Sequence, residues 1–394
     1  MPQNHRSPFT HSDTNKPYCD QETTSRTSSM STPADQRQTS TTNPTTSTST
    51  SGHLPHSNEH ICLIGLGAIG ISFLALHLTY TSAQISVYDP RPDLEDHIQS
   101  VLPLYLPEPP SSESSSSSSS SLSIAELLSS KRLVIHSSLP AAVQAATIIQ
   151  EQGPENLSFK QSTWSQIISH ASPAAHLWSS TSGIPASQQL AHLPADHPAR
   201  ERLLVVHPFN PPHIMPLLEL VPSPSTTPAE LTFAQSYFSA LSSGHRPIPI
   251  HKESAGFVAN RLSFILFREA CHLVNQGVAS VEEIDEIVRA SLGPRWAVGG
   301  PFRMYGFGGG KRGMEGFLDN IGEAIDGVWK DAGTITMDQD ATNAEAWQRK
   351  VIDQTDRAYG VLGPEEIRQR DKGLRAVVKV QEELTRKPGE HQES

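Results

Sequence analysis

Two side chains in the stretch Leu203–Val221, LLVVHPFNPPHIMPLLELV, have the types and spacing for proton transfer. His207 ends one apolar run, and Glu219 sits inside a second run twelve residues later. Imidazole exchanges a proton near neutral pH. A carboxylate bonded to one ring nitrogen fixes its tautomer and makes the other nitrogen a better base toward a substrate hydroxyl. A carboxylate among Leu217, Leu218, Leu220 and Val221 is costly to bury unless it has a partner, and a histidine supplies one. The plainer alternative gives His207 a structural hydrogen bond and leaves Glu219 on an exposed strand face. Leu203–Val206 reads as a short buried strand, and Pro208, Pro211 and Pro212 bar both helix and central strand after it. His207 is therefore expected at a strand's C-terminal end, the edge that faces ligands in open α/β sheets.

The elements that must position this pair begin at residue 60. Ile61–Ile64 has a buried-strand pattern, Gly65-Leu66-Gly67-Ala68-Ile69-Gly70 follows, an apolar helix runs to about Leu78, and Gln84–Tyr88 forms a second strand ending on Asp89. In this order each part has a task. Gly65 makes the tight turn, Gly67 admits a pyrophosphate to the backbone, and Gly70 lets helix pack on strand. The helix N-terminus at Ala68 and Ile69 holds the phosphates. Asp89 is placed for the adenosine ribose hydroxyls. The pattern predicts a nicotinamide dinucleotide, and the acid favours NAD because it repels the 2′-phosphate of NADP, with Arg91 as the opposing signal.

Residues 1–59 are rich in Ser, Thr, Pro and Asn and are expected to form a disordered tail. From Pro92 to Ser130 the pattern lapses, with a disordered serine-rich insertion at about 108–123. Further strands are expected at 132–136, 147–150, 176–179 and 246–250. Ser180-Thr181-Ser182-Gly183 stands at the end of one of them, where hydroxyls either bond a ligand or form a turn. After His251 the period becomes helical. Ser254–Gln276 is apolar almost all round, the mark of a buried helix, with Asn260 among Phe257, Phe264, Phe267 and Cys271. Asn260 is either a satisfied core amide or a site residue. Ser280 and Glu283 form a capping box, Gly293-Pro294 reads as the stop of that helix, and helical spacing resumes to Thr385. The fold class is α/β: a Rossmann-type, mostly parallel sheet domain at 60–250, then an all-helical domain at 251–394.

A net charge of −11 without a basic cluster argues against nucleic-acid and anionic-membrane partners. No apolar run reaches a membrane span, and residues 1–59 fit neither a signal peptide nor a mitochondrial presequence. Cys19, Cys62 and Cys271 are too far apart for a zinc knuckle or a disulfide framework. No metal is expected, and the expected location is cytoplasmic.

From about residue 60 to 310 the chain resembles the 3-hydroxyacyl-CoA dehydrogenase family, in the branch holding L-gulonate 3-dehydrogenase (lambda-crystallin) and carnitine 3-dehydrogenase. The likeness rests on Gly65–Gly70, Glu151–Lys160, Ser180–Gly183, His207–Pro212 with Glu219, Lys252–Arg261 and Gly293–Ala297. It implies His207 as catalytic base with Glu219 its partner, Ser182, Asn210 and Asn260 near substrate or nicotinamide, and Asp89, Glu155 and Lys160 on the cofactor side. It also implies a homodimer through the helical domain.

Nothing between Arg91 and Lys131 is Lys or Arg, where acyl-CoA-using members carry bases for the CoA phosphates. Arg295 stands where the branch acting on small hydroxy acids also has arginine, and a guanidinium suits a carboxylate. A small free 3-hydroxy acid is therefore the favoured substrate. A CoA thioester, a non-catalytic crystallin-like NAD(H) binder and a regulatory NAD-binding module stay open as alternatives.

Overall fold

The computed structural model describes residues 54–107, 123–333, 335–337, 344–360 and 363–385. Of the expected tail at 1–59, residues 1–53 lie outside the described residues, as does the serine tract at 108–122; residues 54–59 are instead placed against the sheet domain, with His56 Nε2 3.1 Å from Tyr237 O.

Eight strands form one sheet in the order β3-β2-β1-β4-β5-β6-β7-β8. They are β1 (His60–Ile64), β2 (Gln84–Tyr88), β3 (Leu133–Ile135), β4 (Ile148–Glu151), β5 (His176–Ser179), β6 (Leu203–Pro208), β7 (Leu217–Pro222) and β8 (Arg246–Pro249). The strand order reverses between β1 and β4, which opens a crevice at their carboxyl ends.

Helices α1 (Ala68–Tyr80), α2 (Leu94–Val101), α3 (Ile124–Ser129), α4 (Leu139–Val143), α5 (Leu157–His170), α6 (Ala186–Gln189), α7 (Ala199–Arg202) and α8 (Pro228–Ser239) accompany the sheet. Because strand side chains alternate between faces, β1 sends Ile61 and Leu63 into one core and Cys62 and Ile64 into the other. β6 divides in the same way, with Leu204 and Val206 against Leu203 and Val205. Helices α2 and α3 lie where the sequence pattern lapses. Leu94 and Ile98 on α2, Leu102 just after it and Leu127 on α3 are the buried anchors, too few to stand out among prolines and acids.

All strand pairs are parallel except β6–β7, which is antiparallel. The connection 209–216 is too short for a parallel crossover, which needs about a dozen residues or more. The antiparallel return sets His207 directly opposite Glu219 in the register. Neighbours in such a pair share a face of the sheet.

The helical part comprises α9 (Ala259–Gln276), α10 (Val281–Ala290), α11 (Leu292–Val298), α12 (Pro301–Gly308), α13 (Gly313–Asp331), α14 (Ala344–Tyr359) and α15 (Pro364–Thr385). Two expectations are corrected here. The helix at 254–276 begins only at Ala259, and within one chain it is not buried: Leu262 is 64% exposed and Phe264 60%, while only Cys271 and Val274 on it are buried. Gly293-Pro294 does not stop α10. That helix ends at Ala290, and the dipeptide opens α11, where proline's missing N–H costs nothing. The capping box at Ser280 and Glu283 is present.

Candidate active site

The pair opposite each other on β6 and β7 is bonded. His207 Nδ1 lies 2.7 Å from Glu219 Oε2, and both side chains are buried. Glu219 Oε1 accepts the backbone N–H groups of Val258 and Ala259 at 3.0 and 3.1 Å. Burial alone would push this carboxyl up, but the hydrogen bonds from His207, Ala259 and Val258 outweigh it and hold the group below the usual carboxylate range. With a depressed folded value, the stability these bonds contribute is complete above the ordinary carboxylate range and is lost as pH falls through the folded value. Nδ1 is occupied by the carboxylate, which leaves Nε2 as the ring nitrogen without a partner among the described residues.

The nucleotide loop has the shape its glycines require. Gly65 has φ 90°, and a Cβ on Gly70 would lie 1.9 Å from Gly65 O, so no other residue fits there. A Cβ on Gly67 would meet nothing within 4 Å, which is open space at the N-terminus of α1. The first N–H groups of that helix, at Ala68 and Ile69, have no intrahelical acceptor and suit a pyrophosphate. Asp89 stands at the end of β2 and reaches back to the loop, accepting the Leu66 N–H at 2.7 Å and the Arg91 N–H at 3.0 Å. Arg91 turns its guanidinium to Asp93 at 3.3 Å. Tyr88, Asp89, Pro92, Ile135 and His136 line a cavity of about 540 Å³ beside Asp89, room for an adenosine half. These residues fit NAD: an open phosphate cradle and a ribose acid, with Arg91 at the cavity turned to Asp93.

At the carboxyl ends of β4 and β5, Glu155 gathers the next loop. Its Oε1 accepts the N–H groups of Ser182 at 3.1 Å and Gly183 at 2.9 Å, as well as the Thr181 hydroxyl. Asn260 donates from Nδ2 to Ser182 O at 3.0 Å. It is half-buried at a cleft, not a core amide. That cleft, about 760 Å³, is lined by Glu155, Ser182, Gly256, Asn260, Arg261 and Arg268 among others.

Two expected residues, Lys160 and Arg295, sit otherwise. Lys160 turns its ammonium to carboxylates: it is wholly buried, at 2.9 and 3.1 Å from the oxygens of Glu151, with Glu155 at 3.9 Å. Helix α5 turns it inward, and a buried ammonium needs a carboxylate beside it. Arg295 is exposed on α11, which packs on α10, α12 and α15, and does not line the cleft. Asn210 is exposed on the proline loop, three residues past His207.

Glu151 is the site residue that sequence reasoning passed over. It ends the apolar strand β4 as Glu219 interrupts β7, and a carboxylate there signals a buried partner. It also accepts the Gly153 N–H at 2.7 Å and the Ser179 hydroxyl at 3.2 Å. Burial pushes its carboxyl up, against the pull of Lys160.

Comparison with known proteins identifies the family. The patterns described as the NAD binding domain and the C-terminal domain of 3-hydroxyacyl-CoA dehydrogenase match residues 60–254 and 256–347. L-carnitine dehydrogenase of Streptomyces coelicolor is 31% identical over 79% of this chain and 98% of its own length. That of Pseudomonas putida is 35% identical over 68% of this chain and 78% of its own. A 3-hydroxyacyl-CoA dehydrogenase of Gibberella moniliformis is 33% identical over 69% and 79%. Among solved structures, an NAD⁺-dependent dismutase, 5-formyl-3-hydroxy-2-methylpyridine 4-carboxylic acid 5-dehydrogenase, superposes with a TM-score of 0.61 at 25% identity, covering 82% of this chain and 98% of that one. With the nucleotide loop, the buried His–Glu pair and both family domains in one chain, the protein belongs to the 3-hydroxyacyl-CoA dehydrogenase family of NAD-dependent oxidoreductases acting on CH–OH groups.

Proposed function

We propose that the protein oxidises the 3-hydroxyl of a small free 3-hydroxy carboxylic acid, with His207 as general base. The observation that carries this reading is the buried 2.7 Å bond between His207 Nδ1 and Glu219, which leaves Nε2 to take the hydroxyl proton. Bound NAD supplies the hydride acceptor. Glu219 keeps Nδ1 protonated and stabilises the imidazolium that forms; in the reverse direction that imidazolium returns the proton. Ser182, Asn210 and Asn260 provide hydrogen bonds on the substrate and nicotinamide side, and Glu155 holds the Ser182–Gly183 backbone in place. Asp89 and the N–H groups at Gly67, Ala68 and Ile69 hold the cofactor. Lys160 acts indirectly, by neutralising Glu151 beneath that loop.

Two features support a free acid over a thioester. Helix α2, which follows the ribose acid, carries Glu95 and Asp96, and residues 92–130 contain no Lys or Arg to meet CoA phosphates. The cleft is lined by Arg261 and Arg268, neither bonded to a carboxylate among the described residues, so we assign the substrate carboxylate to them in preference to Arg295. The test is NADH formation by the purified protein on L-carnitine, L-gulonate, 3-hydroxybutyrate and 3-hydroxybutyryl-CoA in parallel. Turnover of a free acid is expected, with KM raised about tenfold or more by Arg268→Gln, the effect of losing a charged hydrogen bond. Turnover of the thioester alone would overturn the substrate class. Tight NADH binding without turnover of any of the four would favour a non-catalytic role.

The second copy of this chain is the expected partner. Leu262, Phe264, Ile265 and Phe267 on α9, and Phe302, Val328 and Trp329 beyond it, form more exposed apolar surface than a monomer ordinarily carries. Light scattering is expected to give about twice 42.9 kDa; a monomeric mass at micromolar concentration would refute the dimer. The free thiols of Cys62 and Cys271 support a reducing compartment, the cytosol. Among the described residues no helix is long and apolar enough to cross a membrane.

A further inference from the structure

Glu219 joins the sheet to the helical part as well as to His207. The N–H groups of Val258 and Ala259, which bond its Oε1, open helix α9, and no side chain of that helix's own N-terminus caps it. The carboxylate of β7 is the cap, at the positive end of the helix dipole. The two N–H groups face it because the chain turns through two successive left-handed residues, Gly256 at φ 71° and Phe257 at φ 51°. Glycine takes this conformation freely, whereas phenylalanine does so only where its surroundings hold it.

Those surroundings include the catalytic pair. The Phe257 side chain is wholly buried, and its ring centroid lies 5.2 Å from that of His207, inclined at 53°. Its N–H donates to Ser254 O at 3.1 Å, and the Ser254 hydroxyl donates to Phe257 O at 3.3 Å, closing the turn.

We propose that Phe257 is a positioning residue for proton transfer: it packs on the His207 ring and holds the left-handed turn that aims two N–H groups at Glu219, so the pair is set only when α9 is seated. The proposal rests on His207 being the base. With both oxygens engaged, the Glu219 carboxylate cannot rotate away from Nδ1. The plainer role for Phe257 is core filling, which would cost stability on truncation and leave the ionisation of His207 alone.

The two roles are separated by a double-mutant cycle on the full chain with NAD bound. Glu219→Gln, Phe257→Ala, Phe257→Leu and the double variant of Glu219→Gln with Phe257→Ala are compared. Two readouts are used: the pH profile of kcat/KM for L-carnitine oxidation, and the ¹⁵N-histidine NMR titration of His207, assigned by its loss in His207→Gln. Among the described residues Glu219 is the one titratable group bonded to His207, so displacing it lowers imidazole basicity. Phe257→Ala is expected to lower kcat about tenfold or more, shift the acid limb and the His207 titration to lower pH, and leave NAD affinity within about twofold. Adding Phe257→Ala to Glu219→Gln should change neither readout further. An unmoved titration, or a loss that multiplies with that of Glu219→Gln, would overturn the proposal. If Phe257→Ala does not fold, Phe257→Leu, which keeps most of the volume, gives the same readouts. If L-carnitine is not oxidised, the titration still decides the role of Phe257, and the substrate reading fails separately.

Discussion

Replacing His207 with alanine is expected to lower kcat by about 10²–10⁴-fold, the range for loss of a positioned general base, while NADH still binds. The separation follows from geometry. The nucleotide cradle is built by Gly65–Gly70 and Asp89 on β1, α1 and β2, whereas His207 comes from β6, on the far side of β4 and β5. Removing the imidazole also strips Glu219 Oε2 of its partner but leaves the Val258 and Ala259 N–H groups on Oε1. The stability cost is therefore about 1–3 kcal/mol, that of one unsatisfied buried acceptor, and should not unfold the chain. Steady-state kinetics beside NADH fluorescence titration checks both halves. Turnover within about tenfold of the parent would remove His207 from the mechanism.

The largest expected loss of stability comes from Lys160→Met. Lys160 and Glu151 are both wholly buried, and deleting one partner of such a pair costs about 3–5 kcal/mol because the other charge is left in low dielectric. For a domain of this size that corresponds to roughly 10 °C in Tm. The Glu151 carboxyl, already pushed up by burial, would rise further and take up a proton on folding. With its folded value raised, the variant's stability is greatest at low pH and is lost as pH rises through that value. Calorimetry across pH distinguishes this from a cofactor role. Adding Glu151→Gln should restore part of the loss, since no charge then remains to bury. If Lys160→Met left Tm unchanged and weakened only NAD binding, Lys160 would contact the cofactor after all.

Much of the candidate site was legible in local patterns because its signals are local. A tight glycine turn between strand and helix, an acid at the end of the next strand, and a histidine before a run of prolines each have one economical physical meaning. They placed the cofactor loop, Asp89 and His207 without knowledge of long-range contacts. The antiparallel pairing of β6 and β7 was less accessible, although the shortness of the connection 209–216 implied it.

Tertiary structure alone decided the partner of Lys160 and the lining of the cleft. That Lys160 turns inward to Glu151 depends on the packing of α5, and that Arg261 and Arg268, in place of Arg295, line the cleft depends on where α9 leaves the sheet. The apolar run at 254–276 shows the limit most clearly. Its composition says that it must be covered but not by what, so burial by a second chain and burial in the chain's own core look alike. Hydrophobic periodicity reports that a face avoids water. Which surface meets that face, and which charge lies opposite a buried carboxylate, are properties of the folded arrangement, because they arise between segments that no local spacing connects.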